Sequence, residues 1–248
     1  MSRTIKLTLQ YDGTDYVGWQ RQAEGTSIQG LLEDALKPIE GSPVTVHGAG
    51  RTDAGVHAVG QVASVRLTAT LDTTTLARAL NAVLPLDLRV ARVEEVADDF
   101  HARFSATGKI YQYRIVNGPF ASPFVRRYVW HLIPKIDLAA VREASSFLVG
   151  THDFAAFQGT GTSVPSTERT VRRIEWTEHA DGLAIMEIEG DGFLRHMVRN
   201  IAGTVVEIGL GRWPAATIRD ILESRDRARA GTTAPPQGLF LMEVKYPA

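Results

Sequence analysis

Residues 5–11, Ile-Lys-Leu-Thr-Leu-Gln-Tyr, alternate apolar and polar side chains, the period of a strand with one buried face. Asp12-Gly13 breaks that run, and Tyr16-Val-Gly-Trp19-Gln-Arg-Gln22 follows as a loop whose two aromatics are packing residues. Ser27 is placed to cap a helix with apolar Ile28, Leu31, Leu32, Ala35, Leu36 and Ile39, ended by Pro38. Two further alternating runs, Val44–His47 and Gln61–Leu67, predict strands on either side of a glycine-rich segment. A second helix carries Leu76, Ala79, Leu80 and Val83 on one face, stops at Pro85, and gives way to a strand over Leu88–Val93. The first hundred residues therefore read β-α-β-β-α-β, a split βαβ or ferredoxin-like unit.

Phe100–Thr107 has no clean period and reads as a crossover. Gly108–Val116 then alternates strictly, putting Tyr111, Tyr113 and Ile115 on one face with Lys109 at its start. Residues 117–127 hold two prolines and predict a surface loop, followed by a strand over Tyr128–Leu132. Asp137 is a cap for a helix bearing Leu138, Val141, Ala144, Ser145 and Leu148. Gly150–Phe157 reads as irregular, and the polar stretch 158–165 as mobile. Arg169, Arg172 and Arg173 open a strand pair through Trp176 and Leu183–Ile188. Phe193 to Gly209 is apolar nearly all round and predicts a buried helix. Arg195, His196, Arg199 and Asn200 interrupt its surface as a polar stripe, which must meet water, RNA or a carboxylate because an unpaired buried arginine is too costly. A last helix starts at Trp213-Pro214, and Leu239–Tyr246 is the final strand. The expected division is residues 1–105 and 106–248, with no sequence repeat between the halves.

Composition adjusts this picture in three ways. The chain has 248 residues, 44% hydrophobic and 22% charged, ordinary for a globular protein with a substantial core. No apolar run approaches a membrane span and the start enters a strand directly without a signal peptide, so the expected location is cytoplasmic. The absence of cysteine excludes disulfides, thiolate nucleophiles and Cys-bearing zinc sites. A net charge of −1 argues against indiscriminate coating of nucleic acid, yet all but five of the 27 basic residues are arginine, suited to bidentate phosphate contacts and stacking on bases. A working basic surface would have to be local.

The segment Gly48-Ala-Gly-Arg51-Thr-Asp53-Ala-Gly-Val-His57-Ala58 holds the chemistry. Three glycines in eight residues allow backbone geometry closed to other residues, and a guanidinium and a carboxylate sit two positions apart on a loop braced by strands. No Gly-Lys-Ser/Thr ending makes it a P-loop, and its glycine spacing is not that of a dinucleotide fingerprint. The aromatics and arginine of Phe100-His101-Ala-Arg103-Phe104 are what a stacking platform for unpaired bases needs, although core packing also accounts for Phe100 and Phe104.

GAGRTDAGVHA resembles the signature of the tRNA pseudouridine synthase A (TruA) family, and YDGTDYVGWQRQ, FHARFSAT, the K-x-Y-x-Y strand, FLRHMVRNI and the Gly238-Leu-Phe-Leu241 turn are each similar to further segments of that family. The resemblance implies an α+β pseudouridine synthase fold: two ferredoxin-like-type halves sharing a mixed, largely antiparallel sheet with a central active-site cleft. It implies Asp53 as the catalytic residue, Tyr111 above it (with Tyr113 as second choice), and Arg199 as its pairing cation. It implies RNA contacts in the region of Phe100, His101, Arg103 and Phe104, and a uracil pocket lined at Leu239 and Leu241. Arg169 and Arg172, at the mouth of the polar loop, suit phosphate contacts. The implied substrate is uridine on the 3′ side of the anticodon stem-loop of tRNA, and the implied assembly is a homodimer.

Pseudouridine formation breaks the N1–C1′ bond, turns the uracil and rejoins it through C5, with no net redox change, so no cofactor or metal is expected. The target base must first leave its helix. Asp53 serves as nucleophile at C1′ or as base at the 2′ carbon, Arg51 fills the space the base vacates, and Tyr111 stacks on uracil and relays the C5 proton. Two alternatives stay open: an N-glycosidic-bond hydrolase pairing Asp53 with a second carboxylate, which would release free base, and a non-catalytic RNA-binding module.

Overall fold

The structure, a computed structural model, describes residues 2–161 and 164–247. The chain forms two compact units, Met1–Thr107 with Phe240–Ala248, and Gly108–Leu239.

The first unit runs β1 (Arg3–Tyr11), α1 (Ile28–Glu40), β2 (His47–Gly48), β3 (His57–Leu67), α2 (Thr73–Val83) and β4 (Leu88–Val96). Strand β1 lies between β3 and β4, antiparallel to both, so the ferredoxin-like pattern read from the periodicity is the observed one. Ile5, Leu7 and Leu9 of β1 are fully enclosed, as are Ile28, Leu32 and Leu36 of α1 and Leu76 and Leu80 of α2. Each such side chain stabilises the fold by roughly 1.5–3 kcal/mol relative to exposure. Ser27 caps α1, its hydroxyl accepting from the Gly30 amide. Pro38 does not end that helix, contrary to expectation: it lies in the last turn, where only one intrahelical bond is forfeited, and Gly41 (φ 78°) closes the helix by donating to the Lys37 carbonyl. The strand expected over Val44–His47 is reduced to His47–Gly48, which pairs antiparallel with Ala63 and Ser64 of β3.

The second unit contains β5 (Gly108–Asn117), β6 (Trp130–Leu132), α3 (Leu138–Ser146), β7 (Gly150–Asp153), β8 (Glu168–Glu178), β9 (Leu183–Gly190), α4 (Met197–Gly209) and α5 (Thr217–Ser224). Its sheet runs β5-β9-β8-β7, antiparallel throughout, with β6 added parallel to β5. Asp137 caps α3 through the Ala139 and Ala140 amides. Gly209 lets α4 approach the α3 end closely, since a Cβ there would sit 2.5 Å from Ile136 and 2.6 Å from Val141. Two expectations change. Gly150–Asp153, read as irregular, is an edge strand held by β8, and Ala155–Phe157 is a 3₁₀ turn. Helix α4 begins at Met197, not Phe193, because His196 takes a left-handed conformation (φ 59°) that breaks the helix before it. Thr162 and Ser163, within the loop expected to be mobile, lie outside the described residues.

The last strand, β10 (Leu239–Lys245), belongs from Phe240 onward to the first unit. It runs parallel to β3, with Phe240 opposite His57 and Leu241 opposite Ala58. The expected second half, 106–248, thus gives up its final strand, which pairs with β3 at His57 and Ala58, several residues from the Ala63 and Ser64 positions that β2 occupies. Among the described residues no helix is long and apolar enough to cross a membrane.

Candidate active site

The loop of residues 49–56 joins β2 to β3, and Asp53, half-buried, lies near its tip beside an exposed Arg51. Three sets of bonds hold it. At its base the Ala49 amide donates to Val62 and the Gln61 side chain donates to the Gly50 carbonyl at 2.9 Å. In the middle, buried Thr52 meets the Tyr11 hydroxyl at 2.8 Å, and Gln61 Nε2 donates to that hydroxyl at 3.3 Å. At the far side the Val56 amide closes a turn onto the Asp53 carbonyl (3.2 Å), with Gly55 at φ 77°.

The loop from Asp12 to Gln22 wraps this segment. The Trp19 amide donates to the Thr52 carbonyl at 3.0 Å. Gly18 has φ 105°, and a Cβ there would sit 2.6 Å from the Thr52 oxygen and 3.1 Å from the Asp53 carbonyl carbon. The backbones on either side of Asp53 can approach this closely only with glycine opposite. Trp19 lies against Gly48, and the Gly13 amide donates to His57 Nδ1 at 3.0 Å. Buried Tyr16 and Trp19 are packing residues, as expected: Trp19 packs at the loop carrying the carboxylate, while the Tyr16 hydroxyl donates to Asp87 between α2 and β4.

The segment 100–104 in the same unit divides in two. Phe100 faces Tyr246 (ring centroids 5.0 Å apart) and Lys6 (5.9 Å), and Tyr246 donates to the Ala102 carbonyl at 2.7 Å, so Phe100 helps fasten the chain end. His101, Arg103 and Phe104 form a surface group. His101 lies 4.4 Å from the Phe104 ring and 5.0 Å from that of His47, and the Arg103 guanidinium is 5.7 Å from Phe104. Phe104 is 77% exposed, so core packing does not account for it. Partial burial, with His47 and then Arg103 adding positive charge nearby, holds the His101 imidazole below its usual pKa, and its Nδ1 accepts from the Arg103 amide at 3.1 Å.

In the second unit Tyr111 and Tyr113 are both buried on β5 and have different surroundings. Tyr111 meets Phe193 edge-on at 5.2 Å. Tyr113 donates its hydroxyl to the Pro235 carbonyl at 2.7 Å, and burial pushes its phenol pKa far upward against the opposing charge of Arg199. Arg199 lies in the first turn of α4, where its Nε donates to the Ala234 carbonyl at 2.8 Å and the Ala234 amide returns a bond to the Arg199 carbonyl at 3.1 Å. Its neighbour Asn200 is fully enclosed: its amide donates to Phe157 O and its oxygen accepts from Arg227 and Thr233. The expected polar stripe is therefore split. Arg195 lies outside the helix and donates to the Thr160 carbonyl, and Asn200 is a structural clamp.

Arg169 folds back onto the Ser166 carbonyl at 2.9 Å, and Arg172 occupies an irregularity in the β8–β9 pairing with Glu189 at 3.6 Å. Leu239 and Leu241 are both buried, the second opposite Ala58 of β3. Among the described residues no group of three or more His, Cys, Asp and Glu side chains is arranged to hold a metal ion.

Sequence reasoning passed over Tyr11, Gln61 and Gly18, the residues that hold the Asp53 loop. The signal available was a pair of glycines, Gly13 and Gly18, in a stretch otherwise rich in aromatics and amides.

The chain is similar to known proteins over most of its length. The sequence pattern described as tRNA pseudouridine synthase matches residues 8–105 and 144–247. The chain is 44% identical over 98% of its length to a protein named tRNA pseudouridine synthase A from Thermoanaerobacter sp., covering all of that protein. It is 46% identical to one of the same name from Myxococcus xanthus, covering 98% of this chain and 91% of that one. A solved Cbf5-Nop10-Gar1 complex aligns with TM-score 0.38 and 12% identity over 82% of this chain and 45% of the other, too distant a likeness to carry weight. With well over half of the chain inside the matched pattern and relatives similar over nearly its whole length, the chain belongs to the tRNA pseudouridine synthase family.

Proposed function

We propose that this chain converts uridine to pseudouridine on the 3′ side of the anticodon stem-loop of tRNA, with Asp53 as the reacting carboxylate. Family membership supports the reaction and the substrate class. The observation that carries the part of Asp53 is the clamp on its loop: Gly18, Trp19, Tyr11 and Gln61 hold the backbone at Gly50, Thr52 and Asp53. A single carboxylate doing covalent or base chemistry gains rate only when its approach is fixed beforehand, and a rigid backbone does this without a second catalytic acid.

Asp53 either attacks C1′ or removes the 2′ proton. In both cases the electrons of the N1–C1′ bond pass to the uracil and the base turns. C5 then bonds to C1′ as the Asp53–C1′ ester breaks in the first path, or as the proton held by Asp53 returns to C2′ of the C1′–C2′ double bond in the second. N1 gains a proton, and the C5 proton departs last. Arg199 is the cation that pairs with the carboxylate, Arg51 fills the space of the flipped base, and Tyr111 stacks on uracil and carries the C5 proton. Tyr113, the second choice, donates its hydroxyl to the Pro235 carbonyl. His101, Arg103, Phe104, Arg169 and Arg172 bind RNA, and Leu239 and Leu241 flank the uracil. The enzyme works as a cytoplasmic homodimer.

Asp53→Asn should leave the urea midpoint and tRNA affinity unchanged and abolish carbodiimide-reactive pseudouridine in an unmodified tRNA transcript. Turnover by the variant, followed as tritium release from 5-labelled uridine, would overturn the role of Asp53. Release of free uracil by the wild type would point instead to hydrolysis.

A further inference from the structure

We propose that the loop between β5 and β6, residues 118–129, is a separate RNA-binding element whose two phenylalanines stack on unpaired bases of tRNA. The identity of the polymer rests on the reading above; the loop itself includes none of the residues assigned there.

Phe124 is 91% exposed and Phe120 73%, with Val125 and Ile133 also in solvent. Large apolar side chains grouped this way on a surface mark a contact. The tip is built rather than slack. The Phe124 amide donates to Ser122 Oγ, the Val125 and Arg126 amides donate to the Ser122 carbonyl at 3.0 Å, and the Tyr128 amide donates to Val125 at 2.8 Å. Its base is tied down by Asn117, which donates to the Leu132 and Pro134 carbonyls at 2.9 and 2.7 Å, and by His131, whose Nε2 lies 2.8 Å from the Gly118 carbonyl. Pro119 and Pro123 each precede one of the phenylalanines and fix their own φ. Both rings are thus presented on a preordered support, which lowers the entropy lost on binding.

Charge selects the partner. From Asn117 to Ile136 there is no aspartate or glutamate, while Arg126, Arg127 and Lys135 are basic and exposed. Exposed aromatic side chains on a segment that carries arginines and lacks carboxylates match a strand of unpaired nucleotides: every base offers a face to stack and every phosphate a charge to meet.

The test uses the full chain and an unmodified tRNA transcript, with affinity measured by fluorescence anisotropy across a salt series. The Phe120→Ala/Phe124→Ala double variant should keep the wild-type urea midpoint, bind tRNA about tenfold or more weakly, and show KM raised by the same factor. Phe124→Trp should retain affinity. Arg126→Gln should lower the slope of log Kd against log salt by about one phosphate contact. Wild-type affinity in the double variant overturns the proposal. A fall in oligomeric state on sedimentation, with affinity falling in step, also overturns it and makes the loop a subunit contact. Pseudouridine yield from the wild type judges the functional reading separately: normal yield with undiminished variant affinity defeats this inference alone, and no yield with the affinity loss intact defeats only the reaction assignment.

Discussion

Tyr11→Phe tests whether the clamp on the Asp53 loop governs catalysis. The substitution removes one oxygen from a buried side chain and keeps the ring. That oxygen lies 2.8 Å from Thr52 Oγ1 and accepts from Gln61 at 3.3 Å. Gln61 keeps its 2.9 Å bond to Gly50, so the loss concentrates on Thr52, a buried hydroxyl deprived of its partner. Losing the bond and stranding that hydroxyl together cost about 1–3 kcal/mol at neutral pH. The Trp19–Thr52 backbone bond remains, so the loop stays folded while its position relaxes. A relaxation approaching an ångström costs up to about a hundredfold in rate, and it should appear in kcat with KM little changed.

A second signature comes from titration. Burial raises the Tyr11 pKa from 10.0 to about 12, partly offset by its bonds to Thr52 and Gln61. A group whose pKa is higher in the folded state stabilises the fold fully below its unfolded pKa and loses that contribution as pH rises through the folded value. The wild-type advantage over Tyr11→Phe should therefore be complete below pH 10 and shrink by up to about 3 kcal/mol towards pH 12. Urea titrations of both proteins from pH 7 into this alkaline range, with single-turnover pseudouridine formation measured near neutrality, read both effects. Equal midpoints at pH 7, a stability difference that does not move with alkaline pH, or an effect confined to KM would refute the reasoning.

Gly18→Ala should cost more than about 1–3 kcal/mol and depress kcat, because alanine is strained at φ 105° and its Cβ would meet the Thr52 carbonyl at 2.6 Å; an unaltered melting curve would show that the two backbones can part freely. Phe104→Ala should change stability by less than about 0.5 kcal/mol, since the ring is 77% exposed. It should weaken tRNA binding about fivefold to a hundredfold, and unchanged affinity in an anisotropy titration would remove Phe104 from the RNA surface.

Elements with their own strong period were legible: β1 and β5 by strict alternation, and α1, α2 and α3 by apolar spacing with Ser27, Asp72 and Asp137 as observed caps. Elements that exist because a neighbour holds them were not. β2 has two residues and β7 four, too few for a period, and both owe their form to pairing with β3 and β8. The start of α4 was overestimated because Phe193 and Leu194 continue the apolar spacing, which carries no trace of the left-handed turn at His196. The candidate site was legible where its chemistry is local: Gly50, Arg51, Asp53 and Gly55 lie within one short segment.

The sequence by itself determined the alternation of strands and helices, the absence of thiol chemistry, and the loop that carries a carboxylate between glycines, because each follows from residue types at short spacing. Only the tertiary structure decided that the chain end returns as β10 beside His57 and Ala58, that Tyr11 and Gln61 hold Thr52, and that Tyr113 spends its hydroxyl on Pro235 while Phe104 stands in solvent. Those facts depend on partners distant along the chain, and a one-dimensional period cannot say which buried hydroxyl will meet which carbonyl.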